Sequence, residues 1–137
     1  MNQISSTFSF NTNGKQLINI TKEIKEFVNN NDIKNGFMNM SILHTSASLL
    51  VQENADGTVL KDFLNFFNEL VCNKNYLHNS EGPDDMPAHI RSALTQSNLT
   101  LSIQNKEIVL GYWQGIFLFE HRLKKRNRSI FVHLIGE

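Results

Sequence analysis

Phe8 and Phe10 stand at alternate positions in the otherwise polar run from Ser5 to Thr12, a period of two that predicts a strand with one buried face. Gly14 punctuates that strand, and Gln16 to Ile20 continues as a second one. The period then lengthens: Ile24, Phe27 and Val28 recur at helical spacing before an Asn-rich stop, Asn29 to Asp32, so Thr21 is expected to cap a short amphipathic helix. After Gly36, the runs Phe37 to Leu43 and Ala47 to Gln52 read as strands, with the polar HTSAS segment at their junction and His44 near a strand end. From Asp56 to Leu70 the apolar residues Val59, Leu60, Phe63, Leu64, Phe66, Phe67 and Leu70 share one broad helical face, expected to meet the core and to leave part for a subunit contact. Met86 to Gln96 predicts another helix with Pro87 in its first turn, where a missing N–H costs nothing, and Asp84 and Asp85 beside its positive end. Leu99, Leu101 and Ile103 alternate into a turn at Gln104 to Lys106 and return through Ile108 to Leu110 as a hairpin. Ile116 to Phe119 and Ser129 to Ile135 are expected to form a second hairpin around the basic loop Arg122 to Arg128. With no βαβ alternation and no Gly-rich phosphate loop, the pattern specifies an α+β fold, mainly antiparallel β.

A chain of 137 residues fits one domain, residues 1–137. Thirteen basic and thirteen acidic residues cancel, which removes any global electrostatic reason to bind nucleic acid or an anionic membrane. Cys72 is the lone cysteine, the N-terminus lacks the basic and apolar regions of a signal peptide, and no apolar run approaches the roughly 20 residues of a membrane span. The expected location is the cytoplasm.

The chemistry concentrates between Tyr76 and Arg91, where YLHNSEGPDDMPAHIR holds two histidines, three carboxylates and two φ-restraining prolines. Imidazole and carboxylate are the ligands that zinc and similar ions accept, and a catalytic metal takes about three protein ligands and an open position. His44, His78 and His89 are the candidate ligands, with Asp84, Asp85 or Glu81 as a further ligand or as a partner orienting a ring. From pattern alone the same residues read more readily as hydrogen-bonded structural histidines or solvated loop. In HTSAS a serine nucleophile is disfavoured, because adjacent strand residues point to opposite faces and no oxyanion loop accompanies them; anion binding by the hydroxyls and amides fits better. Glu120, His121 and Arg122 close an apolar strand and read as a solvated strand end, slightly ahead of an inward glutamate with a role. The run Arg122, Lys124, Lys125, Arg126, Arg128 lacks interleaved aromatics and reads as a solvated loop before a nucleic-acid surface.

Taken in order, HTSASLLVQENAD (His44 to Asp56), HNSEGPDDMPAHIRSAL (His78 to Leu94), LGYWQGIFLFEHR (Leu110 to Arg122) and the closing Gly136 and Glu137 resemble the YjbQ-like family, also described as secondary thiamine-phosphate synthases. The chain departs from the family pattern at Gly57, where proline is usual, and at Asn98, Lys106 and Tyr112, the last a bulky phenol expected to narrow a pocket beside Trp113 and Gln114. The resemblance implies a β-sandwich with flanking helices, assembled as a homotrimer with sites near the subunit boundaries. It also implies the joining of a pyrimidine diphosphate to a thiazole phosphate with release of pyrophosphate, a leaving group whose charge calls for a divalent metal, zinc or magnesium, or for cationic side chains. The site residues it carries over are His44, His89, Asp85 and Glu120 for catalysis, Gln114, Arg122, His121 and Asp84 for a small phosphate substrate, and His44, His78 and His89 for the metal. Two readings compete with it: a metal-dependent hydrolase of a small phosphate or amide, and a non-catalytic trimer that binds a small anion.

Overall fold

The computed structural model describes residues 1–137. Its elements are β1 (Asn2–Asn13), β2 (Gln16–Asn19), α1 (Thr21–Asn29), β3 (Gly36–Ile42), β4 (Ala47–Glu53), α2 (Gly57–Leu70), α3 (Asp85–Leu94), β5 (Asn98–Gln104), β6 (Glu107–Ile108), β7 (Gln114–Glu120) and β8 (Lys125–Gly136). The strands form two antiparallel sheets, one of five in the order β1-β8-β3-β5-β6 and one of three in the order β2-β7-β4. The α+β, antiparallel reading of the pattern therefore holds. No helix is long and apolar enough to cross a membrane.

Alternation decides which side of each strand is buried. On β3 Met38 and Met40, on β8 Ile130, Val132 and Leu134, and on β7 Ile116 and Leu118 join Leu49 of β4 and Ile24 and Val28 of α1 in one apolar cluster. On the other side of β7, Phe119 meets Phe67 of α2 edge to face at 5.4 Å. β7 is thus covered on both sides, which explains its unbroken GIFLF run.

That double burial also corrects the second predicted hairpin. β7 has its two edges filled by β2 and β4, whereas β8 pairs with β1 over twelve residues and with β3 over seven, so the consecutive strands lie in different sheets. Apolar runs that follow each other closely look like a hairpin, but a central strand buried on both faces needs neighbours from elsewhere. The first predicted hairpin does form, β5 with β6, and its turn residues Asn105 and Lys106 have φ of 53° and 66°, the left-handed pair of a type I′ turn. Thr21 is not the cap of α1 but its first residue; its hydroxyl instead accepts from Ile116 N at 2.9 Å, tying the helix to β7.

The α2 face departs from expectation as well: none of its residues is fully buried, and Phe66 and Leu70 are 56% and 55% exposed. Asp56 caps this helix, accepting from Thr58 N at 2.9 Å, and Gly57 is its first helical residue, with open space where a Cβ would stand. The N–H of that position has no partner within the helix, and Asp56 lies in the extended region that a following proline prefers. Gly57→Pro is therefore expected to stabilise the fold by about 0.4–1 kcal/mol, seen as a Tm higher by roughly 2–4 °C in thermal unfolding.

Candidate metal centre

Pro87 in the first turn of α3 and the turn before it place Asp84 at the cap and Asp85 at the first helical position, and one turn later the helix presents His89 on the same side. His78 reaches the same point from the loop between α2 and α3. The Nε2 atoms of His78 and His89 lie 2.6 and 3.2 Å from Asp85 Oδ2, and the ligating atoms of all three residues fall within 4.8 Å of one another. The carboxylate is 2% exposed, against 45% for His78 and 29% for His89, so the cluster is closed behind the aspartate and open on the histidine side.

His89 Nδ1 lies 2.8 Å from the Thr45 carbonyl oxygen, which can only accept, so Nδ1 carries the ring proton. In the neutral ring Nε2 is then a bare lone pair facing a carboxylate oxygen that is also an acceptor. A second proton or a metal cation has to lie between them. Two imidazoles and one carboxylate match the donor set of zinc, and ligands about 2.0–2.1 Å from an ion stand roughly 3.3 Å apart, which the 3.2 Å from His89 Nε2 to Asp85 Oδ2 matches, while the 2.6 Å of His78 Nε2 is a hydrogen bond that an ion would open. A metal-ligating histidine whose other nitrogen donates to a backbone carbonyl is the arrangement that fixes the tautomer. The residues fit such an ion.

Arg122 holds the cluster from behind. Its Nη1 donates to Asp85 Oδ1 at 2.6 Å, its Nε to Asp84 Oδ2 at 3.0 Å and its Nη2 to the Glu81 carbonyl at 2.8 Å. Burial alone would raise the Asp85 carboxyl, but the His78 hydrogen bond and the charges of Arg122 and His89 hold it below its ordinary value; Asp84 is lowered likewise, by Leu123 N and Arg122 against its own desolvation. Both carboxylates stay ionised, as ligands or their supports must.

The remaining predicted residues fall elsewhere. His44 does not join the cluster: its Nε2 accepts from Ser129 N at 2.8 Å. Glu120, 0% exposed, is saturated, accepting from Thr12 Oγ1, from His121 N and Arg122 N, and from Nε and Nη2 of Arg128 at 2.7 and 2.6 Å. Glu120, His121 and Arg122 are all buried, which corrects the solvated strand end; of the basic run Lys124 and Lys125 are exposed as a solvated loop requires, whereas Arg122 and Arg128 are buried as well. These charges pair across the junction of the two sheets, and pairing is what permits burial. Gln114 begins β7 while Glu120 ends it, about 20 Å away at 3.3 Å per residue, and its side chain accepts from Gly111 N. Tyr112 narrows no pocket, being 88% exposed and edge-on to Trp113. In HTSAS, Ser46 accepts from Arg128 and is buried, and Ser48 meets His121 and is 0% exposed, so burial keeps both hydroxyls from an anion in solution. The sequence reading missed Thr45, whose carbonyl orients His89, and Arg128; a carbonyl leaves no mark in sequence, and Arg128 was hidden among its basic neighbours.

Ser48 Oγ and His121 Nε2 are 2.9 Å apart, yet both residues are at most 1% exposed and out of reach of substrate. Burial, aided by the charges of Arg91, Arg128 and Lys15, pushes His121 down from 6.5 to about 3, Glu120 opposing. A histidine held neutral in the fold but protonated when unfolded leaves stability intact above pH 6.5 and withdraws it as pH falls toward 3. Urea unfolding at pH 7 and pH 5 is expected to show a loss of about 2 kcal/mol from this residue, absent in His121→Gln.

A family model described as UPF0047 protein YjbQ-like matches residues 6–137. A UPF0047 protein of Synechocystis sp. is 47% identical over 128 residues, covering 92% of this chain and 87% of that protein. The UPF0047 protein YjbQ of Escherichia coli O157:H7 is 45% identical over 103 residues, with coverages of 74% and 75%. Among solved structures, a YjbQ/UPF0047 protein of Clostridium acetobutylicum superposes with a TM-score of 0.84 at 30% identity, covering 96% of this chain and 99% of that one. A YbjQ-like protein of unknown function from Sulfolobus solfataricus P2 shares the fold at a TM-score of 0.87 and 21% identity, covering 99% and 100%.

Proposed function

The chain belongs to the YjbQ-like UPF0047 family, and from that premise we propose that it is a metal-dependent enzyme of a small phosphorylated substrate, with His78, Asp85 and His89 as the metal ligands. The observation that carries this reading is the facing of His89 Nε2 and Asp85 Oδ2 while Nδ1 is committed to Thr45, a geometry completed by a cation. The exposed α2 face, with Phe66 and Leu70, supports the homotrimer that the family resemblance implies.

The reaction we assign first is the union of a pyrimidine diphosphate with a thiazole phosphate. The thiazole nitrogen attacks the pyrimidine methylene carbon, the bond from that carbon to the diphosphate oxygen breaks, and pyrophosphate leaves with the electron pair. A bound divalent ion supplies charge neutralisation for such a leaving group. The chain's own residues divide the rest: His78 and His89 face the open side, Asp85 supplies the buried anionic ligand, and Arg122 holds Asp84 and Asp85 rigid. Arg122 has no free face for a phosphate, and Glu120 is a structural anion without access to substrate. A hydrolase is the second reading, favoured by the open side of the same three-ligand set, where an activated water fits.

The test is pyrophosphate release from the purified protein with zinc or magnesium. Release that needs both substrates and the ion, and disappears in His89→Ala, is the expected result. Phosphate release from one substrate alone would establish the hydrolase, and no turnover of any substrate with stoichiometric ion bound would overturn the enzyme reading.

A further inference from the structure

The five-stranded sheet ends on β1, whose outer edge pairs with no other strand. Leu43 N donates to Ser129 O, so along β8 the residues Ser129, Phe131, His133 and Ile135 turn their main-chain groups toward β3. Ile130, Val132 and Leu134 between them turn theirs toward β1, where they meet Phe8, Ser6 and Ile4. Gln3, Ser5, Thr7, Ser9 and Asn11 are thereby left with N–H and C=O directed away from the sheet. Asn13, the next of that row, shows the same direction, its N–H donating to Gln16 Oε1 at 2.7 Å across the turn. No main-chain group of the other five bonds outside the β1–β8 ladder.

The remaining edges are covered or short. The end of α3 closes the free edge of β4, where Leu49 N donates to Gln96 O and Ser92 Oγ to Ala47 O, while β2 has four residues and β6 two. β1 has twelve, and its outward row carries neither charge nor proline, the devices that ordinarily keep an edge from pairing. On its inner side Ile4, Ser6, Phe8 and Phe10 are only half-buried, with the half-buried Phe27 of α1 edge-on to Phe8 at 5.3 Å.

We propose that β1 pairs with β1 of a second copy of this chain, antiparallel across a two-fold axis at Thr7, joining two five-stranded sheets into one. Hydrogen-bonded pairs form only between outward-facing residues, and centring on Thr7 uses all five: Thr7 meets the partner's Thr7, Ser5 the partner's Ser9 and Gln3 the partner's Asn11. Such a row makes about ten main-chain hydrogen bonds. On the inner side the same register sets the partner's Phe8 opposite Ser6, a small residue between Ile4 and Phe8, and the partner's Phe10 opposite Ile4. Rings left half-exposed on one chain are covered by the other, and no charge meets its like. A two-fold contact joins chains in pairs, so it is distinct from a three-fold contact on α2.

The experiment is the solution mass by light scattering, at micromolar concentration, of wild type, Thr7→Pro and Thr7→Lys. Proline removes an N–H that faces away from β8 and leaves the β1–β8 ladder whole, while lysine sets two like charges directly opposite each other. The expected wild-type mass is twice that of either folded variant, whereas loss of a three-fold contact would divide it by three. Thr7→Lys, at an exposed side chain, gives the reading should Thr7→Pro fail to fold. Register is read in Cys72→Ser protein, which lacks the one exposed native thiol. There Thr7→Cys is expected to oxidise to a cross-linked pair at least tenfold faster than Ser5→Cys or Ser9→Cys, whose own copies lie roughly 13 Å apart along the strands. A wild-type mass equal to that of folded Thr7→Lys, or equally fast cross-linking at all three positions, would overturn the proposal.

Discussion

Arg128→Met is expected to lower stability by about 3–5 kcal/mol and Tm by on the order of 10–20 °C. Arg128 is 4% exposed and forks onto a glutamate that is 0% exposed, so its removal strands a carboxylate in the interior. Burial by itself would raise the Glu120 carboxyl; Arg128, Thr12 and Arg122 N hold it below its ordinary value of 4.5. The stabilisation from this lowered group is therefore fully present above about pH 4.5 and disappears as pH falls further. Glu120→Gln in the Arg128→Met background is expected to recover much of the loss, because glutamine keeps an oxygen for the N–H groups of His121 and Arg122 while the unpaired charge is gone. Equilibrium unfolding of both single variants and the double closes the cycle; a double variant less stable than either single one would refute the ion-pair account.

Arg122→Lys is expected to weaken zinc binding by about 10–100-fold while leaving all three ligands in place. Lysine keeps the charge but not the fork that meets Asp84, Asp85 and the Glu81 carbonyl at once. Asp85 then loses its support on Oδ1, and the segment from Glu81 to Asp85 loses the group that spans it. A stability cost of about 2–4 kcal/mol accompanies this, since Arg122 is 5% exposed and a lysine leaves buried acceptors among Asp84, Asp85 and the Glu81 carbonyl without donors. Zinc titration beside thermal unfolding separates the two effects. Undiminished zinc affinity in a folded variant would show that Arg122 does not position the cluster.

The elements with a single buried side were legible in the sequence. The alternating phenylalanines of β1, the helical stripe of α2 and the proline at the start of α3 are local signals, and each produced its element. What failed depended on partners distant in the chain. β7 and β8 looked like a hairpin because nothing in GIFLF tells that both edges of β7 are filled by β2 and β4. Glu120 and Arg128 looked solvated because a buried charge and an exposed one are the same letter until the facing charge is found. The candidate site divided along the same line. His78, Asp85 and His89 lie within one short segment folded by a turn and a helix, so their proximity in sequence carried over into space. His44 was grouped with them by residue type and by the family resemblance, and its Nε2 is spent on Ser129 N, 85 residues away. Gln114 and Glu120 were placed together from one motif, but a strand separates its ends by its full length.

Metal content by mass spectrometry after zinc loading and desalting, on wild type, His44→Ala and the His78→Ala, His89→Ala double variant, tests the account most directly. One ion per chain in wild type and in His44→Ala, with none in the double variant, is the predicted result. Retention of the ion by a folded double variant, or its loss from His44→Ala alone, would contradict a centre built on His78, Asp85 and His89.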